Sequence, residues 1–217
     1  TIARNVVHNN TWWSANAESG IVVAQSSSID SDGAVKMVIR DNTVFGHLNH
    51  LPSLNTPADG AILDGSGIHV SQNSKSYAHG WFKIFGNLCH SNGIDGVLVQ
   101  TTDRIIVSNN VIFANGRMMR ESSMSRHSYT GLTLLGVSGL IVQNNSISTP
   151  LTDDYAYMMD ADSSFHHTAL SVEVNFVCVG QVSAVLAKLV DVHPSCTTTL
   201  YVDAEAGSDT NDGLSPS

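Results

Sequence analysis

One six-residue phrase recurs five times along this chain and restricts its fold more than any other feature. It reads apolar, two variable residues, Asn, one variable residue, apolar. Ile2-Ala3-Arg4-Asn5-Val6-Val7 and Ile39-Arg40-Asp41-Asn42-Thr43-Val44 open the series. Ile84-Phe85-Gly86-Asn87-Leu88-Cys89, Val107-Ser108-Asn109-Asn110-Val111-Ile112 and Val142-Gln143-Asn144-Asn145-Ser146-Ile147 complete it. A second phrase lies between these, a Gly followed by alternating apolar residues: Gly20-Ile21-Val22-Val23, Gly67-Ile68-His69-Val70, Gly96-Val97-Leu98-Val99 and Gly131-Leu132-Thr133-Leu134. Two interleaved period-two signals punctuated by Asn indicate short strands repeated along a solenoid, one coil per repeat.

The Asn positions are separated by 37, 45, 23 and 35 residues, and the Gly positions by 47, 29 and 35. Only the shortest interval approaches a bare coil, so the others carry loop insertions, which solenoids place on one face. Asn tolerates left-handed backbone angles and bonds nearby main chain, which suits a turn that recurs in register. Stacked Asn side chains also bond one another along an axis. The fold expected is all-β, a right-handed parallel β-helix.

The 217 residues suffice for one domain with a sizeable core. A net charge of −9 argues against a nucleic-acid partner. No apolar run reaches the roughly 18 residues of a membrane span. Cys89 falls on an inward slot and reads as a small buried hydrophobe, while Cys178 and Cys196 form no disulfide framework. The chain opens inside a coil at Ile2, as a fragment, a processed chain or a rearranged one would. Residues 1–150 read as coils, 151–199 as a terminal coil or capping segment with a helical option at Leu186 to Leu189, and 200–217 as a strand and turn that begin something new.

Several side chains stand out as candidates. Trp12-Trp13 offers aromatic faces on which sugars stack, or a hydrophobic plug on the flank. Arg117, Arg120, Arg126 and His127 form a basic cluster suited to carboxylate-bearing sugar. Asp30-Ser31-Asp32-Gly33 reads as a turn. If Ile68 and Val70 face inward, His69 faces out.

The closing Tyr201-Val202-Asp203 and Gly207-Ser208-Asp209-Thr210-Asn211-Asp212-Gly213-Leu214-Ser215-Pro216 resemble the opening segment of secreted right-handed parallel β-helix proteins of the pectate-lyase type. Thr1 to Thr149 resembles the middle of the same proteins, so the resemblance covers some three-quarters of the chain in inverted order. That order implies a circular permutation or a cut across two tandem units. The nearest catalytic pattern is that of the family 9 pectate lyases, in which coil carboxylates hold Ca²⁺ and a Lys two residues after a coil Gly is the base. Asp64 matches one carboxylate and Asp95 another, whereas Ile94 and Leu98 stand at the other two positions and Thr133 at the Lys.

β-Elimination from a uronate needs a cation on the carboxylate and a base for the C5 proton. The resemblance therefore implies Ca²⁺ at Asp64 and Asp95, with His69, at the Gly-plus-two slot of its own coil, as substitute base. The rival reading is a non-catalytic carbohydrate-binding or surface-adhesion β-helix. A glycoside hydrolase using Asp64 and Asp95 on neighbouring coils comes third. All three readings give an extracellular, monomeric protein acting on or binding polysaccharide, acidic in the first two cases.

Overall fold

Each Asn phrase joins two strands, and the structure shows why the phrase recurs. It is a computed structural model describing residues 1–16, 18–26, 33–54, 62–73, 80–117 and 131–147, plus the backbone of strands within 155–192. The described residues contain strands and no helix. The strands come in groups of three along the chain. The first group is β1 (Ile2–Ala3), β2 (Val6–His8) and β3 (Ile21–Ala24), and the second is β4 (Val35–Arg40), β5 (Thr43–Phe45) and β6 (Ile68–Asn73). Next come β7 (Trp81–Phe85), β8 (Leu88–His90) and the long β9 (Val97–Ser108), whose second half also opens the fourth group with β10 (Val111–Phe113) and β11 (Leu132–Leu135). Then follow β12 (Ser138–Gln143), β13 (Ser146–Ile147) and β14 (Tyr155–Met159), and β15 (Leu170–Glu173), β16 (Phe176–Val177) and β17 (Gln181–Val182), and finally β18 (Asp191–Val192).

Every pairing is parallel and joins equivalent members of successive groups. Three stacks result: A from first members, B from second, C from third. Stack B is a seven-stranded sheet, and β9, running from C into A, merges those two into an eleven-stranded one. The registers reproduce the sequence intervals: Ile2 faces Ile39, Ile39 faces Ile84, Ile84 faces Val107 and Val107 faces Val142. Alternation then sends one side of every strand inward. Ile39, Ile84, Val107 and Val142 from A meet Val44, Cys89, Ile112 and Ile147 from B and Ile68, Val97 and Leu132 from C in one buried cluster. Cys89 is buried as its slot required, and burial drives its thiol pKa up.

The turn from A to B is built on the Asn. Arg4, Asp41, Gly86, Asn109 and Asn144, each just before a ladder Asn, carry the positive φ, so the left-handed residue is one place earlier than the Asn itself. This frees the Asn side chains to bond along the stack. Asn42 Nδ2 donates to Asn87 Oδ1 (2.9 Å), Asn87 Nδ2 to Asn110 Oδ1 (3.0 Å), and Asn110 Nδ2 to Asn145 Oδ1 (2.9 Å). The corresponding backbone N–H groups donate to the same oxygens.

A second ladder, not apparent from the six-residue phrase, lines the corner from B to C. Asn92 Nδ2 donates to Asn115 Oδ1 (2.9 Å), and His47 occupies the equivalent slot one group earlier. The His47 N–H donates to Asn92 Oδ1, while its Nδ1 accepts from the Asn10 N–H (3.3 Å). Its Nε2 lies 3.3 Å from Val7 O, so the proton sits on Nε2. Burial pushes His47 down to about 4, against the pull of the Val7 carbonyl. The glycine of the Gly phrase begins each C strand for lack of room. A Cβ at Gly67 would come within 2.6 Å of Gly96 O and 2.7 Å of Asn92 Nδ2.

Candidate functional site

The longest connections, from Phe45 to Ile68 and from Phe113 to Leu132, leave stack B and enter stack C. The corner between those stacks therefore collects most of the residues the sequence singled out. In the first group it carries Trp12 and Trp13, 46% and 72% exposed. In the second it carries His50, whose ring lies 5.9 Å from Trp12 and 6.2 Å from Trp13. The cluster has a fixed base. The His50 N–H donates to Trp12 O, Ser14 N–H donates to the buried Asn49 Oδ1 (3.1 Å), and Asn49 Nδ2 donates back to Ser14 O. The tryptophans are thus an exposed platform on an ordered corner rather than a plug.

Arg117 lies on the same corner two groups further along, exposed, with its N–H donating to Asn92 O (3.1 Å). Its charge, after the effect of burial, helps hold His90 below the ordinary imidazole pKa. His90 belongs to an alternating stack on the outer face of B. His8, Phe45, His90 and Phe113 lie with successive centroids 5.0 Å apart and planes within 11°. Arg120 and Arg126 lie outside the described residues, as do the Asp30-Ser31-Asp32 turn, Cys178, Cys196 and residues 200–217.

Where C begins, the register corrects one expectation. Ile68 faces Val97, which sets Ser66, not Asp64, against Asp95. Ser66 Oγ donates to Asp95 Oδ2 (3.3 Å), and Thr133 Oγ1, from the following group, donates to Asp95 Oδ1 (2.7 Å). Asp95 is buried between two hydroxyls, and Asp64, also buried, sits two register positions away. Thr133, at the slot where the resemblance placed a base, binds the carboxylate of Asp95. Calcium requires six to eight oxygens with several carboxylates. Among the described residues no three His, Cys, Asp or Glu side chains converge.

His69 corrects a second expectation. It does face outward, between Val22 and Leu98 on the neighbouring strands. Yet it is only 9% exposed, so it is not the solvated outward histidine that alternation implied. Burial lowers its pKa to about 4, with the Gln100 side chain pulling the other way. Its Nε2 is buried without a hydrogen-bond partner. No helix of the described residues is long and apolar enough to cross a membrane. Comparison of the chain with known protein families, with curated proteins and with solved structures yields no match.

Proposed function

We propose that this chain is a secreted, monomeric right-handed parallel β-helix related to the pectate-lyase type, which binds acidic polysaccharide along the B–C corner without cleaving it. The observation that carries this reading is the exposed Trp12–Trp13 pair, braced by Asn49 and flanked by His50, on the corner that also presents Arg117. Indole faces stack on sugar rings, and a guanidinium pairs with a uronate carboxylate in bidentate fashion. Metal is not needed for either contact.

The same corner is poorly equipped for elimination. A base with pKa about 4 is far from the operating range in which proton abstraction is efficient. Asp95 already accepts two hydroxyl hydrogen bonds, and one donor is Thr133 at the Lys slot. His69 Nε2 is buried as well, without a hydrogen-bond partner, and so is closed to a polymer at the surface.

Affinity electrophoresis in gels containing pectate, alginate or a neutral glucan tests the proposal. The wild type is retarded by at least one uronate polymer, and Trp13→Ala weakens that retardation about tenfold, the loss of a stacked aromatic contact. Equal mobility of the wild type in all gels, or full retardation of Trp13→Ala, contradicts it.

A further inference from the structure

The outer face of stack A carries a separate feature. Half of the ten Lys and Arg residues of this acidic chain gather there or at its ends: Arg4, Lys36, Arg40, Lys83 and Arg104. The inward course of Ile39 and Ile84 turns Arg40 and Lys83 outward on adjacent strands. Arg40 faces Phe85 across the ladder, and Lys83 Nζ lies 4.5 Å over the centre of the same Phe85 ring. The two cations thus stand on adjacent strands beside Phe85, Lys83 over its ring and Arg40 at its register position. Arg4 follows Ala3, the register partner of Arg40.

The outer two cations have space made for them. Lys36 sits at an irregularity in the pairing of β4 with β7, and a Cβ at Gly80 would run into its Cγ. The stem of Arg104 lies over Gly139 in the same way, at 3.3 Å from where a Cβ would stand. A glycine at the adjacent position of the next group leaves room for each aliphatic stem to lie flat. Among the described residues two carboxylates lie on or beside the face: Asp41, 2.5 Å from Arg40 Nη1, and Asp103. The cations still outnumber them and recur over four consecutive groups, whose strands are spaced about 4.8 Å apart.

We infer that the outer face of stack A is a track for a linear acidic polysaccharide, distinct from the B–C corner. Cations spaced by strands suit a polymer with one carboxylate or sulfate per sugar. A nucleic-acid duplex, with one charge per about 1.7 Å, would meet more of the repulsion of the remaining acidic surface. The inference shares the ligand class of the proposed function, so its test separates the two faces.

The variant is Arg40→Glu/Lys83→Glu, and the probes are pectate, dextran sulfate and poly(U), followed by salt-dependent retention. Dextran sulfate carries no uronate and reports the track by charge alone. The wild type binds dextran sulfate with affinity that falls as salt rises, and the double variant loses about tenfold at low salt with a shallower salt slope. A double variant that binds dextran sulfate like the wild type overturns the track, as does tighter binding of poly(U) than of either polysaccharide. Loss of pectate binding in Trp13→Ala beside an unaffected double variant sinks the track and leaves the corner standing. The reverse pattern sinks the corner alone. Lys83→Gln, which removes one charge and keeps the stem over Phe85, gives a smaller loss in the same direction and guards against misfolding of the double variant.

Discussion

Replacing His47 with Asn changes how stability depends on pH, and the structure fixes both sign and size. His47 has no exposed surface, and burial lowers its pKa to about 4 from the 6.5 of an exposed imidazole. The unfolded chain therefore takes up a proton near pH 6.5 that the folded chain refuses until about 4. The contribution of a neutral His47 is complete above pH 6.5 and is lost as pH falls toward 4. At pH 5 the loss is about 2 kcal/mol, and it approaches about 3 kcal/mol at pH 4. His69, lowered to about 4 by the same cause, adds a similar amount. In His47→Asn the new carboxamide occupies an Asn slot of the second ladder, where Asn92 and Asn115 donate to Val44 O and Cys89 O, so it keeps the equivalent contact with Val7 O. The variant is then about as stable as the wild type at pH 7.5, yet loses about 2 kcal/mol less between pH 7.5 and 5. Urea unfolding at half-unit pH steps reads both comparisons. Parallel stability curves for wild type and variant would refute a buried, neutral His47.

Two further substitutions probe the packing of the corners. Asn110→Ala removes the acceptor of two Asn87 bonds and the donor to Ile84 O and Asn145 Oδ1, all buried, so stability falls by about 4 kcal/mol in urea; a loss under about 1 kcal/mol would mean the ladder is ornamental. Thr133→Val keeps the shape but withdraws the hydroxyl from Asp95, which lowers stability by about 2 kcal/mol and leaves pectate binding intact. Calcium and chelator shift neither the melting temperature nor polysaccharide affinity, because Asp64 and Asp95 face different register positions; a calcium-induced rise of several degrees would contradict that reading.

The strand stacks were legible because their cause is local. Inward apolar residues flank each Asn, and the intervals between phrases equal the register offsets found in the sheets. The second ladder was legible too, but only by fixed offset: Asn10, His47, Asn92 and Asn115 each lie five residues after a ladder Asn. His47 broke the residue pattern there while keeping the hydrogen bonds, since an imidazole also offers one donor and one acceptor. The site was less readable. Alternation places His69 on the outer side correctly, but it says nothing of what covers that side. Asp64 and Asp95 look equivalent when aligned on the Gly that follows each. Asp64 precedes its Gly67 by three residues and Asp95 its Gly96 by one, and parallel pairing preserves that two-residue offset. The Thr133 bond to Asp95 left no sequence signal, because threonine is an ordinary strand residue.

The central claim, binding of an acidic polysaccharide without cleavage, rests on one direct measurement. The protein is titrated with uronate oligosaccharides in a calorimeter, and the same mixture is followed at about 235 nm, where the unsaturated product of elimination absorbs. Saturable heat is expected with uronate oligosaccharide, unaffected by calcium or chelator, with no rise in absorbance. A steady rise in absorbance that His69→Ala abolishes would contradict it and make His69 the base of a lyase.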